Sequence, residues 1–565
     1  MAEKKAIKKE AIKEDLMLAY ALQNALLHDG KAREGAVLSK LFQVGLKKKD
    51  IKNIMPILKE TIRKVNRLRK EEQEKQFQTI KKLVKKPEKK EGLVALPKAK
   101  KGKVVMRLAP FPSGALHIGN AHSAIINDYY TKFYKGKLFL VIDDTIGSAE
   151  KYVCKEAYRL IPKSLEWLKI KFEKPIIYKS DRLEIYYEYA EKLIRKGSAY
   201  VCFCSAEKLR KNRKEGRECG CRQHPIPMQI DWWKRMLEGE FFAGQAVLRI
   251  KTNMQHPNPA FRDRVLFRIV DRKHPRTKNK YKVWPLLDFS WVIDDALLDI
   301  THIIRGKDLM METEMERLIW KILFPRYDPV ILHTGLIQLE GIKISKSKSL
   351  KEVESKKYIG WDDPRTWSLQ SLEKRGFMPE AVRNFCLKLG ISDTEIKAPI
   401  DVLYAENKKA IEKSNRYFFI KNPKKIKIKD APKLHALTVA IPLHPDYKKR
   451  GNRILKVGNE FYISEDDKIE KDKTYRLMYL FNFQNMQFLS TKLDKKLNAK
   501  HIHWLPTCER LIKVSVVMPN GEIVRGLGEP TIRKLKVGEI CQFERFGFCC
   551  LQKKGKEYKF WFTQK

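Results

Sequence analysis

The sequence predicts a multidomain α/β chain with a helical N-terminal region and an all-β C-terminal module. Three observations predict it. From Val104 the apolar run VVMRL (104–108), a helical stretch over 117–134 and the apolar run KLFLVI (137–142) follow one another. Strand, helix, strand in that order begins a parallel sheet. Before it, Leu16, Tyr20, Leu26, Leu38, Leu41, Ile51, Ile54, Leu58, Ile62 and Leu68 recur near helical spacing. Beyond about residue 416 short strands dominate, among them FFIKN, NEFYISE, LIKVSVVM and CQFERFGFCCLQ, with an Asn-Gly turn at 520–521.

Each region has its own signal. Residues 1–84 read as an N-terminal helical region, which Gly30, Gly45 and Pro56 are expected to split into several helices. The stretch KKLVKKPEKKEGLVALPKAKKGK (81–103) holds ten lysines against two glutamates, and its 85–103 portion reads as a solvated basic linker. The α/β pattern then runs in two halves, 104–198 and 288–354. Between them 199–287 is Cys- and Pro-rich and then β-leaning, with AVLRIKT, RVLFRIV and YKVW. Residues 355–415 return to helix, and 416–565 form the β module.

Composition narrows the partners. A formal charge of +49, from 117 Lys+Arg against 68 Asp+Glu in 565 residues, suits a polyanion, because phosphates reward distributed cations by counterion release. No run approaches the ~18 consecutive apolar residues of a membrane span, and the start MAEKKAIKKE lacks a signal-peptide core. No membrane partner and a cytoplasmic location are therefore expected. Ten cysteines in such a chain point to reduced thiols or metal ligands.

Three motifs carry chemistry. In APFPSGALHIGN (109–120) a Pro-Gly turn leads into a helix, and a helix N-terminus offers free N–H groups to phosphate. His117 stands where that helix begins, so it can donate to phosphate, while Gly119 leaves room for a nucleotide. No GxxxxGK[ST] occurs, which excludes a P-loop. In GIKISKSKSL (341–350), Lys343, Ser345, Lys346 and Ser347 sit on a short glycine-flanked loop that can fold over a pyrophosphate leaving group. Cys202, Cys204, Cys219 and Cys221 offer four thiolates to a tetrahedral Zn²⁺, with His224 as a substitute ligand.

Residues 104–134 and 341–350 together resemble the two signatures of class I aminoacyl-tRNA synthetases. RLAPFPSGALHIGN resembles the glutamyl/glutaminyl subgroup, archaeal glutamyl-tRNA synthetases especially. The likeness continues through IDDT (142–145), LIRKGSAYVCFC (193–204), VIDDALLDITHIIRGKD (292–308), NRYFF (415–419) and LHPDYKKRGNR (443–453). The resemblance implies a Rossmann-type catalytic domain interrupted by an acceptor-stem-binding domain. It also implies a helical stem-contact region and a β-barrel anticodon-binding module.

The implied reaction joins L-glutamate to ATP with Mg²⁺ and passes the glutamyl group to the terminal adenosine of tRNA(Glu), with tRNA(Gln) a further candidate substrate. His117, Gly119, Asn120, Lys343, Ser345 and Lys346 would hold ATP, with His117, Lys343 and Lys346 catalytic. Arg107, Asp143 and Arg305 would hold the amino acid, Asp143 through its ammonium; zinc would be structural. The departures from the family are Phe111, Val141 and Leu287 at usually polar positions, for which Tyr281 could compensate. A glutaminyl-tRNA synthetase and an RNA-binding protein without activation activity are the alternatives.

Overall fold

Helix formation begins at once. The computed structural model describes residues 2–43, 46, 50–84, 93–148, 152–342, 346–431 and 438–565, in two units, one within 1–91 and one within 92–565. The first contains α1 (Ala2–Leu27), α2 (Glu34–Gln43), α3 (Ile51–Arg67) and α4 (Lys70–Ile80). Tyr20, Leu22, Val37, Leu41, Leu58 and Ile62 make its core. Gly30 follows α1 with a φ of +82° and donates its N–H to Ala25, a helix stop that favours glycine. Gly45 lies outside the described residues. Pro56 does not split the chain; it lies inside α3. As the sixth residue of α3 it gives up one ladder bond, and the helix holds because its buried face of Leu58, Ile62 and Val65 packs into the core.

In the second unit, β1 (Val105–Leu108), α5 (Ile118–Phe133), β2 (Lys137–Ile142), α6 (Ala157–Trp167) and β3 (Glu173–Tyr178) come first. The three strands pair in parallel in the order β1-β2-β3. After α7 (Leu183–Arg195), a four-stranded antiparallel sheet intervenes: β4 (Ala199–Cys202), β5 (Val247–Ile250), β6 (Val265–Ile269) and β7 (Val283–Pro285). Then α8 (Leu287–Leu297) leads to β8 (His302–Gly306), and α9 (Met310–Leu323) to β9 (Val330–Thr334), which runs parallel to β8. The Thr301 N–H, at the mouth of β8, donates to Val105 O at 2.9 Å, which lays β8 beside β1. Two parallel sheets, β1-β2-β3 and β8-β9, thus meet at β1 and β8, and the order of strands runs outward in opposite senses from that junction, its reversal point. Open α/β sheets bind ligands outside the strand ends at such a point.

The lysine-rich stretch is not solvated throughout. Leu96 is buried, its N–H donates to the Tyr134 hydroxyl, and the Tyr130 hydroxyl donates to Val94 O. Aromatic residues of α5 hold that part of the chain down.

Helices at Leu369–Lys374, Pro379–Leu389 and Ile400–Ile411 precede the β region. There a seven-stranded sheet runs from Arg416–Tyr417 through 540–543, 547–553, 558–564, 512–517 and 523–528 to Phe419–Lys421. Its two edges are neighbours in the chain, so the sheet nearly closes on itself. Buried Arg375 donates to Phe562 O and Thr563 O at 3.1 and 3.0 Å, tying the helices to it. Among the described residues no helix is long and apolar enough to cross a membrane.

Candidate active site

The turn after β1 delivers His117 to the start of α5 as its N-cap. The His117 backbone is extended, and its Nδ1 accepts the Gly119 N–H at 3.1 Å. The Asn120 side-chain oxygen accepts the His117 N–H at 3.3 Å. A ring whose Nδ1 accepts carries its proton on Nε2 when neutral, so the cap itself makes Nε2 a donor. Gly119 leaves the imidazole room for this fit, because a Cβ there would come within 3.1 Å of it and press it aside. Gly114 is required outright: its φ is +149°, and a Cβ would meet the Trp361 ring at 2.2 Å. The Pro-Gly turn therefore exists to swing a capping histidine over a sheet end.

That sheet end is the reversal point between β1 and β8. A cavity of about 350 Å³ opens there, lined by Arg107, His117, Gly119, Asn120, Trp291 and Arg305 among others. A second cavity, about 860 Å³, adjoins it through Ala109, Pro110, Asn120, Trp291, Asp308 and Leu309, which line both. Asp143, Phe111 and Leu287 face the second. The fold thus gathers Arg107, His117, Gly119, Asn120, Asp143 and Arg305 into one crevice, from positions almost 200 residues apart.

Within the crevice the charges are already paired. Arg107 makes a bidentate ion pair with Asp295, at 2.7 and 2.9 Å. Arg305 makes another with Glu316. Both pairs are buried, unlike ordinary surface salt bridges. Burial pushes the Glu316 carboxyl up to about 7, against the pull of Arg305. One Asp143 oxygen accepts from the Thr145 hydroxyl at 3.1 Å and lies 3.5 Å from the Lys179 ammonium. Lys179 is fully buried, and burial lowers its pKa although Asp143 opposes this. The other Asp143 oxygen has no hydrogen-bond partner among the described residues.

A second cluster lies in the antiparallel insertion. The Sγ atoms of Cys202, Cys204, Cys219 and Cys221 all lie within 4.8 Å of one another. Cys202 and Cys219 stand 3.8 Å apart, close to the ~3.8 Å sulfur spacing that a tetrahedron of ~2.3 Å Zn–S bonds requires. Hydrogen bonding from Cys202, with help from Tyr200 and Arg249, holds the Cys219 thiol well below the usual thiol range. The buried Arg249 guanidinium lies 3.6 and 3.7 Å from Cys202 and Cys219, where it would offset the negative charge of a tetrathiolate. These residues fit zinc. His224 instead packs its ring edge-on against Trp232.

The family model for the catalytic domain of "tRNA synthetases class I (E and Q)" matches residues 103–413. This chain belongs to the class I tRNA synthetases for E and Q. Two anticodon-binding-domain models of the same family match residues 414–501 and 501–552 of this synthetase. The chain is similar to a glutamate–tRNA ligase of Pyrococcus furiosus, 42% identical over 566 residues, spanning 96% of this chain and 97% of the relative. One from Methanocaldococcus jannaschii is 40% identical over 556 residues, spanning 96% and 98%. One from Methanobrevibacter smithii is 38% identical over 564 residues, spanning 98% and 99%.

In the synthetase crevice, the second signature is only partly in view. Lys343 and Ser345 lie outside the described residues, as does the Lys346 side chain. The helix that Lys346 opens, α10 (Lys346–Glu354), sends Leu350, Lys351 and Glu354 to the wall of the larger cavity. Sequence reasoning missed Asp295, Glu316, Lys179 and Trp291. IDDAL and ETEMER do display the carboxylates, but nothing local says which arginine each one meets. Of the three apolar departures, Val141 is buried within β2, whereas Phe111 and Leu287 line the larger cavity.

Proposed function

We propose that this synthetase is a glutamate–tRNA ligase, which activates L-glutamate with Mg-ATP to glutamyl-adenylate and transfers it to the 3′-terminal adenosine of tRNA(Glu). The observation that carries this reading is identity of about 40% to ligases of that name over nearly the whole chain. The crevice supports it chemically. Catalysis needs no covalent enzyme intermediate, only positioning and charge stabilisation around the α-phosphate.

His117 Nε2–H and the α5 N-terminus would meet the ATP phosphates, with Gly119 and Asn120 beside the nucleotide. Lys343, Ser345 and Lys346 would close over the departing pyrophosphate. Arg107 and Arg305 would orient the amino acid while their carboxylate partners keep them fixed. The unpartnered oxygen of Asp143 would accept from the substrate ammonium. Zinc on the four cysteines would brace the 199–287 insertion, which would bear on the acceptor stem. Residues 355–415 would follow the stem, and the 416–565 module would read the anticodon, in a cytoplasmic enzyme.

Glutamate-dependent ATP–pyrophosphate exchange, run with tRNA present, tests the reading; tRNA(Glu) and tRNA(Gln) are then charged separately. Exchange with glutamate and charging of tRNA(Glu) are expected. Exchange driven by another amino acid, or tRNA binding without exchange, would overturn it.

A further inference from the structure

The turn that delivers His117 is held in place by other parts of the chain. The Asp143 N–H donates to Pro110 O at 3.2 Å, and the Cys154 N–H to Pro112 O at 2.8 Å. At the far end of the turn the Leu369 N–H donates to Leu116 O at 2.8 Å, and His117 forms an antiparallel bridge with Ser368. Between these anchors, at Gly114, the hold is a side chain. The six-membered ring of Trp361 fills the space of the missing Cβ, with three ring atoms 2.2, 2.5 and 2.9 Å from that position.

Trp361 is itself fixed. It is 6% exposed and shares a core with Ala115, Leu116, Leu369 and Leu372. Its carbonyl accepts from the hydroxyls of Thr366 and Ser368. Fully buried Asp363 accepts from the N–H groups of Ile359 and Arg365 at 3.1 and 3.0 Å. These bonds close 359–368 into one compact loop. Trp361 comes seven residues after Glu354, where α10 ends. The loop that follows the second signature therefore carries both the ring that meets Gly114 and the backbone that meets His117.

We propose that Trp361 is a positioning residue: through Gly114 it sets the height of the turn, and so the reach of His117 Nε2–H toward the ATP phosphates. This deepens the ligase reading and rests on it for the reaction measured. A catalytic group displaced by about 1 Å can lose roughly a hundredfold in rate, so a turn held by one ring is exposed to that ring's shape. A tryptophan that only filled the core would add stability and leave the rate alone.

The two roles separate on Trp361→Phe, which keeps an apolar ring and removes the outer atoms that meet Gly114. Val382→Ala, in the same core on the helix Pro379–Leu389, is the control for lost stability. For each protein kcat and KM in pyrophosphate exchange and the melting temperature are measured, and hydrogen exchange over 109–121 is followed by mass spectrometry. The proposal expects kcat of Trp361→Phe to fall roughly tenfold to a hundredfold, with KM for ATP and for glutamate near wild type. Hydrogen exchange over 109–121 should quicken in that variant. Val382→Ala should melt earlier yet keep its kcat and its protection over 109–121. In a His117→Asn background Trp361→Phe should cost less than about twofold more, because the group it positions is already gone. A kcat within about twofold of wild type in Trp361→Phe would overturn the proposal, as would an equal loss in Val382→Ala or losses that multiply with His117→Asn. Wild type that exchanges with no amino acid would instead sink the ligase reading. The hydrogen-exchange comparison then decides the positioning, and unchanged protection in Trp361→Phe overturns it.

Discussion

Arg305 and Glu316 meet as a buried bidentate ion pair, from the end of β8 and the body of α9. The arginine faces the crevice, and the carboxyl behind it is raised by burial to about 7. A carboxyl whose folded pKa exceeds its unfolded one stabilises the fold fully below the unfolded value. That contribution is lost as pH rises through the folded value. The window here runs from about 4.5 to about 7. Melting curves of wild type and Glu316→Gln from pH 4 to 8 should show wild type losing stability relative to the variant steadily above about 4.5 and levelling off above about 7. A flat difference would contradict the assignment.

His117 serves two purposes that one substitution can separate. Asparagine is a good N-cap, so His117→Asn should keep α5 intact and the melting temperature unchanged. It removes the Nε2–H donor, and exchange should slow by roughly 10²–10³, the scale of one electrostatic contact in the transition state. His117→Ala should lose the cap as well, at about 1 kcal/mol of stability. Equal exchange rates in wild type and His117→Asn would remove the histidine from the reaction.

Metal analysis of the purified protein should find about one zinc per chain. Cys202→Ser should lower that content and expose 199–225 to protease, because binding a structural ion stabilises the fold around it. Four freely titratable thiols in native, zinc-free protein would refute the site.

The charge of +49 predicts tRNA affinity that falls linearly on a log–log salt plot, by about 0.7–0.9 per phosphate contacted. Deleting 416–565 is a poor test of anticodon reading, because it would strip Arg375 of its carbonyl partners at Phe562 and Thr563. Charging of anticodon variants of the tRNA by the intact enzyme should be measured instead. Equal kcat/KM for all of them would rule out anticodon contact.

Much of the crevice could be read in the sequence where the signal is local. A cap, a tight turn and a short apolar strand are written in adjacent residues, so His117, Gly119 and the β1–α5–β2 order were legible. The cysteine quartet was legible as a cluster too, because its four thiols fall within twenty residues. The ion-pair partners were not. Arg107 finds Asp295 188 residues away, a choice made by the strand order and invisible to any window. Trp291 has no sequence signal of its own, since an aromatic between DFS and VIDD shows helical spacing and nothing more. Pro56 misled for the opposite reason: its local rule is strong, but the packing of the buried face of α3 outweighs one lost ladder bond.

The nearly closed C-terminal sheet has a consequence for synthesis. Its edges, Arg416–Tyr417 and Phe419–Lys421, leave the ribosome well before 558–564, a strand in the middle of the same sheet. At ~5–20 residues per second the wait is on the order of ten seconds. During it, the nascent module presents open backbone edges to every neighbouring chain, a hazard for strands that must pair at long range. The enzyme that supplies an amino acid to ribosomes would thus itself be sensitive to how fast they move: stalled ribosomes would leave it aggregation-prone before they left it inactive.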